Sequence, residues 1–201
     1  MKKVSKTRYL IGIDEVGRGP IAGPVAVGAF VFLKVSAKTF FKGVKESKQL
    51  TEEKREMWFG KIEAAQKDGL INFAVTVQSE KVIDIKGLSF AIKKALGTSL
   101  SKLKINPKQT LVLLDGGLKA PLEYKNQRTI IKGDTKKQVI ALASICAKVL
   151  RDRKMREWAK KYPEYGFELN KGYGTESHYK AIRKHGLTCL HRRSFLPKTI
   201  R

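Results

Sequence analysis

Residues 9–33 read YLIGIDEVGRGPIAGPVAVGAFVFL. The runs 9–13 and 24–33 are aromatic or aliphatic and suit two strands. Between them lies Asp14-Glu15-Val16-Gly17-Arg18-Gly19-Pro20-Ile21-Ala22-Gly23, which puts two acids at a strand end and a small-residue loop after them. The spacing Gly17-x-Gly19 with Gly23 invites comparison with a dinucleotide-binding turn, but that turn must open a helix, and here Pro20 leads into another strand-like run. Small residues instead let a backbone approach a ligand closely, while Arg18 offers donors to phosphate or sugar. An ordinary hairpin loop has the same composition.

Downstream, Thr51 is placed to cap a helix whose first turn holds Glu52 and Glu53, with Trp58, Ile62 and Ala65 on one face and an end near Gly69. Residues 71–77 suit a third strand, and a helical apolar stripe runs from Leu88 to Leu103 before Asn106-Pro107. The run Leu111-Val112-Leu113-Leu114 is apolar on both faces, as in a buried parallel strand, and stops at Asp115. Residues 128–131 repeat the arrangement and stop before Asp134. Residues 135–158 hold no Pro or Gly and predict one long helix, ended by Tyr162-Pro163. A short helix over 176–184 follows Lys171-Gly172-Tyr173-Gly174-Thr175, where Tyr173 is either a turn aromatic or a platform for a sugar or base. The pattern predicts an α/β domain with a mixed sheet.

The 201 residues are 42% apolar, enough for a packed core, which excludes collagen-like, mucin-like and disordered chains. Forty-two Lys and Arg against 18 Asp and Glu leave a net charge of +24, so a polyanionic partner is expected. Residues 148–201 alone hold 15 basic and 5 acidic groups, which makes the C-terminal part a candidate second grip on nucleic acid. No run approaches the roughly 18 to 20 apolar residues of a membrane span, and residues 1–6 carry no cleavage signal, so a cytoplasmic location is expected. Cys146 and Cys189 form no CxxC pair; Cys189-Leu190-His191 could contribute metal ligands only with two more, so Cys189 is expected to be a buried thiol.

In so basic a chain, an acid at the end of an apolar strand needs a cation or donors to replace lost hydration. Asp14 and Glu15, Asp115, and Asp134 occupy three such ends, and in open α/β sheets strand ends are where sites gather. Each also has a plain explanation: Asp115-Gly116 is a turn dipeptide, Asp134 can cap the long helix, and Glu15 can sit in solvent. Together, four oxygen donors suit Mg²⁺ or Mn²⁺, and two such ions roughly 3.5 to 4 Å apart can clamp both oxygens of a phosphodiester displacement.

The chain resembles the bacterial ribonuclease HII family, the type 2 ribonucleases H. The opening motif is Asp14-Glu15-Val16-Gly17-Arg18-Gly19-Pro20 with Ala22-Gly23-Pro24-Val25. Ser47-Lys48-Gln49-Leu50-Thr51, Leu114-Asp115-Gly116, Lys132-Gly133-Asp134, Ala143-Ser144-Ile145-Cys146-Ala147-Lys148-Val149 and Arg151-Asp152-Arg153 follow in the family's order. Lys171-Gly172-Tyr173-Gly174-Thr175 and His191-Arg192-Arg193-Ser194-Phe195 complete it. Glu46, where the family usually has Asp, and the stretch 117–125 depart from the pattern. Type 3 relatives carry an extra N-terminal domain, and here only residues 1–8 precede the first run.

The resemblance implies a ribonuclease H-like fold: a mixed five-stranded sheet flanked by helices, with a catalytic domain over 1–158 and a C-terminal helical substrate-binding segment over 159–201. It assigns Asp14, Glu15, Asp115 and Asp134 as catalytic metal ligands for Mg²⁺ or Mn²⁺. Gly17, Arg18 and Gly19 become the substrate-reading loop, Lys48 a backbone contact and Tyr173 the residue that meets ribose. The implied reaction is endonucleolytic: hydrolysis of RNA in RNA/DNA hybrids and cutting 5′ of ribonucleotides embedded in duplex DNA, by metal-activated water, leaving 3′-hydroxyl and 5′-phosphate ends. A monomer is expected, with no membrane and no evident sliding-clamp peptide at residues 196–201. None of His178, His185 and His191 is needed as a base. A non-catalytic RNA-binding protein would fit the charge equally well but has no use for four acids at strand ends. An exonuclease or recombinase of the same superfamily leaves the glycine loop and Tyr173 without a task.

Overall fold

A computed structural model describes residues 7–200; residues 1–6, where the absence of a cleavage signal was read, and Arg201, the last residue of the clamp-peptide stretch, lie outside the described residues. Five strands form one sheet in the order β3-β2-β1-β4-β5. They are β1 (Tyr9–Val16), β2 (Val25–Phe32), β3 (Ile71–Gln78), β4 (Thr110–Asp115) and β5 (Gln127–Ile130). β1, in the centre, pairs antiparallel with β2 and parallel with β4, so the sheet is mixed as expected. Because β1 and β4 run parallel, both deliver their C-terminal acids to one edge of the sheet.

Alternation along the strands sorts the two faces. Ile11, Ile13, Val112 and Leu114 join the core beneath α3 (Leu88–Lys102), with α2 (Glu80–Lys86) beside it. Phe30, Phe32 and Leu113 face α1 (Glu52–Lys67) and the long α5 (Gln138–Lys161). The Thr51 hydroxyl caps α1 by accepting from the Lys54 N–H, and the buried face holds Phe59, Ile62 and Ala65, with Trp58 only partly covered.

The α5 backbone lies hard against the sheet. A Cβ on Gly12 would meet Val139 backbone atoms at 2.3 Å, and one on Gly28 would meet the Ala143 carbonyl at 2.3 Å. Gly28 is the cross-strand partner of Asp14, so one of these two close approaches lies beside the first acid. Both glycines exist for this approach.

The expected single helix over 135–158 is divided. Gly133–Lys136 forms the short α4, Lys137 is extended at φ −132° and ψ 112°, and α5 begins at Gln138. The main-chain N–H of Gly133 donates to Asp115 Oδ1 at 2.6 Å, so a carboxylate 18 positions away anchors the start of α4. Asp134 therefore does not cap α5; its Oδ1 accepts from the Thr135 N–H at 3.0 Å.

After α5, the turn-like α6 (Phe167–Asn170) and α7 (Glu176–His185) build a third core with Ile21, Ala22 and Met155. The C-terminal part thus packs directly on the glycine loop. Cys189 is exposed, unlike buried Cys146, because Leu190 and His191 turn inward from the same loop and leave it outside. Among the described residues, no helix is long and apolar enough to cross a membrane.

Candidate active site

A cleft of about 310 Å³ opens at the C-terminal ends of β1 and β4 and is lined by Asp14, Glu15, Gly17, Arg18, Gly19, Ser47, Lys48, Asp115, Ser144, Lys148 and Tyr173, with Val16. Most of the sequence-predicted site residues meet here. Asp134 does not line the cleft; it is buried one residue beyond Gly133, whose N–H the Asp115 carboxylate accepts.

Asp14 is only 4% exposed. Burial pushes its carboxyl up to about 7; a hydrogen bond from Ser144 opposes this, and the negative charges of Glu15 and Asp115 add to it. Ser144 lies 2.8 Å from Ser47, so two hydroxyls from α5 and the Ser47–Gln49 turn stand behind the acid. Neither serine was singled out as functional from sequence, because only the approach of α5 through Gly12 and Gly28 brings Ser144 to β1. Glu15 is also raised by burial, against the Arg18 guanidinium, which binds its Oε1 at 2.9 Å. Glu15 Oε2 is buried with no hydrogen-bond partner.

These features test the fit of a divalent cation. Three carboxylates share a cleft, one is held toward its neutral form, and one presents an orphaned oxygen. Added positive charge would relieve all three, and Arg18 already supplies part of it to Glu15. Among the described residues, no three His, Cys, Asp or Glu side chains close into a metal cage. Mg²⁺ does not need one, since it commonly takes one or two carboxylates and completes its shell with water and substrate phosphate.

The glycine loop is held from beneath by two arginines that are 0% exposed. Arg151 Nε donates to the Pro24 carbonyl at 2.9 Å, while Arg192 donates to the carbonyls of Gly17, Arg18 and Gly23 at 2.7, 3.1 and 2.8 Å. Gly17, at φ +94°, has no room for a Cβ: it would lie 2.4 Å from Arg151 Nε. Both arginines belong to the basic segment 148–201 whose charge suggests a grip on nucleic acid. They are interior donors to loop carbonyls rather than part of a surface open to nucleic acid.

Tyr173 is 46% exposed beside Gly19, from which a Cβ would stand 3.6 Å from its ring. Its turn is bolted to the loop: the N–H groups of Ile21 and Ala22 both donate to the Gly172 carbonyl. A buried histidine pair also supports it. The Thr188 N–H donates to His191 Nδ1 at 2.9 Å, which leaves the proton of His191 on Nε2 to bridge to His178 Nε2 at 3.1 Å. His178 Nδ1 then donates to the Tyr173 carbonyl at 2.8 Å. Burial holds both rings toward the neutral form, His191 down to about 4. These histidines fix the turn and do not face the cleft.

The family model for ribonuclease HII matches residues 11–198. Over 99% of its length the chain is similar, at 44% identity, to the ribonuclease HII of Clostridium beijerinckii, of which it covers 72%. Among solved structures, the ribonuclease H2 of Pyrococcus horikoshii OT3 superposes with a TM-score of 0.72 at 25% identity, over 93% of each chain. A manganese complex of Bst-RNase HIII superposes at 0.69 with 20% identity, over 98% of this chain and 70% of that one.

Proposed function

The chain belongs to the ribonuclease HII family, endonucleases that degrade RNA in RNA/DNA hybrids, and from that premise we propose how its cleft cuts and what it reads. The substrates are RNA/DNA hybrids and duplex DNA with embedded ribonucleotides, cut on the ribonucleotide's 5′ side to leave 3′-hydroxyl and 5′-phosphate ends. One observation carries this reading: Asp14, Glu15 and Asp115 share a cleft with the Gly17-Arg18-Gly19 loop and exposed Tyr173. Chemistry and sugar recognition are thereby adjacent.

Asp14, Glu15 and Asp115 would hold Mg²⁺ or Mn²⁺, and Asp134, beside the Asp115 ligand through Gly133, would join them on a small movement of α4. When bound, such an ion would supply a Lewis acid for the phosphoryl oxygens and would lower the pKa of water so that a nucleophile is available near neutral pH. Asp14 and Asp115 orient the attacking water's position by their fixed places at strand ends. The Ser47–Ser144 hydroxyl pair keeps Asp14 in place and favours its charged form. Lys48, at the cleft wall, would meet a backbone phosphate, while Lys148 beside it is held by the buried Asp152 carboxylate at 2.9 Å. The loop's main-chain groups approach the 2′-hydroxyl, which only RNA carries. We place the reaction in the cytoplasm and assign it to a single chain.

The test is cleavage of defined duplexes with no, one or many ribonucleotides. Cutting of the latter two in Mg²⁺, and none of the first, is expected, as is complete loss in excess chelator with recovery on adding Mn²⁺. Undiminished cleavage in chelator would refute the metal assignment. Binding to all-DNA duplex is expected to weaken with salt; two phosphate contacts already give a log–log slope of about −1.8 on B-form DNA. A flat salt dependence, read by fluorescence anisotropy, would remove the electrostatic part of the proposal.

A further inference from the structure

We propose that Arg192 is a positioning residue for sugar recognition: from inside the protein it turns the main-chain N–H groups of Arg18 and Gly19 into the cleft. The inference rests on the reading above and assigns the device that makes the loop a reader.

A trans peptide holds its C=O and N–H on opposite sides. The Gly17 carbonyl shares a peptide with the Arg18 N–H, and the Arg18 carbonyl shares one with the Gly19 N–H. Arg192 takes both carbonyls, through Nη2 at 2.7 Å and Nη1 at 3.1 Å, and its Nε takes the Gly23 carbonyl at 2.8 Å. With both oxygens drawn toward a buried guanidinium, both N–H groups face away from it. Arg18 and Gly19 are exposed and line the cleft, and neither N–H has an acceptor among the described residues. Two free donors on consecutive residues, beside three carboxylates, are placed for an oxygen of the substrate.

The geometry needs arginine. A planar fork of donors can satisfy three carbonyls at once, whereas a lysine ammonium is a point charge on a flexible stem. Arg192 is itself fixed on both sides. Its own N–H donates to the Ile21 carbonyl at 2.7 Å. Behind it, the Asp84 carboxylate on α2 accepts from the N–H groups of Arg193 and Ser194 at 2.8 and 2.9 Å. Arg151 grips only the far end of the loop, at Pro24 and Ala22, so it does not set these two peptides.

The experiment compares the whole protein with Arg192→Lys in chelator, so that nothing is cut. Affinity is measured for a duplex with one ribonucleotide and for the same duplex in DNA. Arg192→Lys is expected to lose about tenfold in the ratio of the two affinities, on the scale of one or two misdirected hydrogen bonds, while all-DNA affinity stays within about twofold. A folded variant that keeps the ratio overturns the proposal. So does an equal fall in both affinities, the mark of a purely structural anchor. Should Arg192→Lys fail to fold, hydrogen exchange in the unmodified protein decides: the Arg18 and Gly19 amides must gain protection with the ribonucleotide duplex and not with all-DNA duplex. No gain overturns the proposal. An unmodified protein that fails to distinguish the two duplexes at all refutes the functional reading, and this inference with it.

Discussion

Asp14→Asn is expected to lower turnover on an RNA/DNA hybrid about a thousandfold, since on the proposed reading several kcal/mol of transition-state charge stabilisation depend on a cation that this carboxylate would help to hold. The same substitution is expected to raise the melting temperature in chelator at pH 8. Burial lifts the Asp14 pKa from 3.8 to about 7, so the folded state favours the protonated form. The group costs stability as pH rises above 3.8, and the whole cost is present above about 7. Asparagine keeps the shape, still accepts the Glu15 N–H that Asp14 takes at 2.8 Å, and removes the charge. Opposite movements of activity and stability are the sign of a site that the fold tolerates for its chemistry. A variant that loses both, in calorimetry and single-turnover kinetics, would make Asp14 a structural acid.

Tyr173→Ala is expected to reduce turnover on a duplex with one ribonucleotide by about 10- to 100-fold, the range that loss of one aromatic platform for a nucleotide represents. Affinity for all-DNA duplex should change by less than about threefold, because Arg18, Lys48 and Lys148 remain in the cleft wall. The His178 and Gly172 contacts are made by main-chain atoms of the turn, and truncating the exposed ring leaves them intact. Equal losses in turnover and in DNA affinity would assign Tyr173 to the backbone grip.

The sheet and its order of acids were legible because strands announce themselves. The β1 and β2 runs are apolar and β-branched, and β4 is a short apolar run ended by an acid. Thr51 with Glu52 and Glu53 likewise marked the start of α1. The break at Lys137 was hidden because no Gly or Pro marks it, and the Asp115 carboxylate that anchors the start of α4 at the Gly133 N–H lies 18 positions away in sequence. Charge counting also hides burial. Arg151 and Arg192 count as two more basic residues in a basic segment until the fold brings loop carbonyls to them. Ser47 and Ser144 are ordinary in sequence, and only the helix approach allowed by Gly12 and Gly28 sets them behind Asp14. Cys189 was misplaced for a related reason: one residue's turn in an irregular loop decides exposure, and no periodicity governs it.

The most direct test of the proposed chemistry is to map the cut, with its end groups, on a DNA duplex carrying one ribonucleotide. In Mg²⁺ a single cut immediately 5′ of the ribonucleotide is expected, with a 3′-hydroxyl on one fragment and a 5′-phosphate on the other, and none in chelator. A cut on the 3′ side, a cyclic phosphate end, or cleavage that persists without divalent cation would contradict the placement of three carboxylates beside a sugar-reading loop as the source of the reaction.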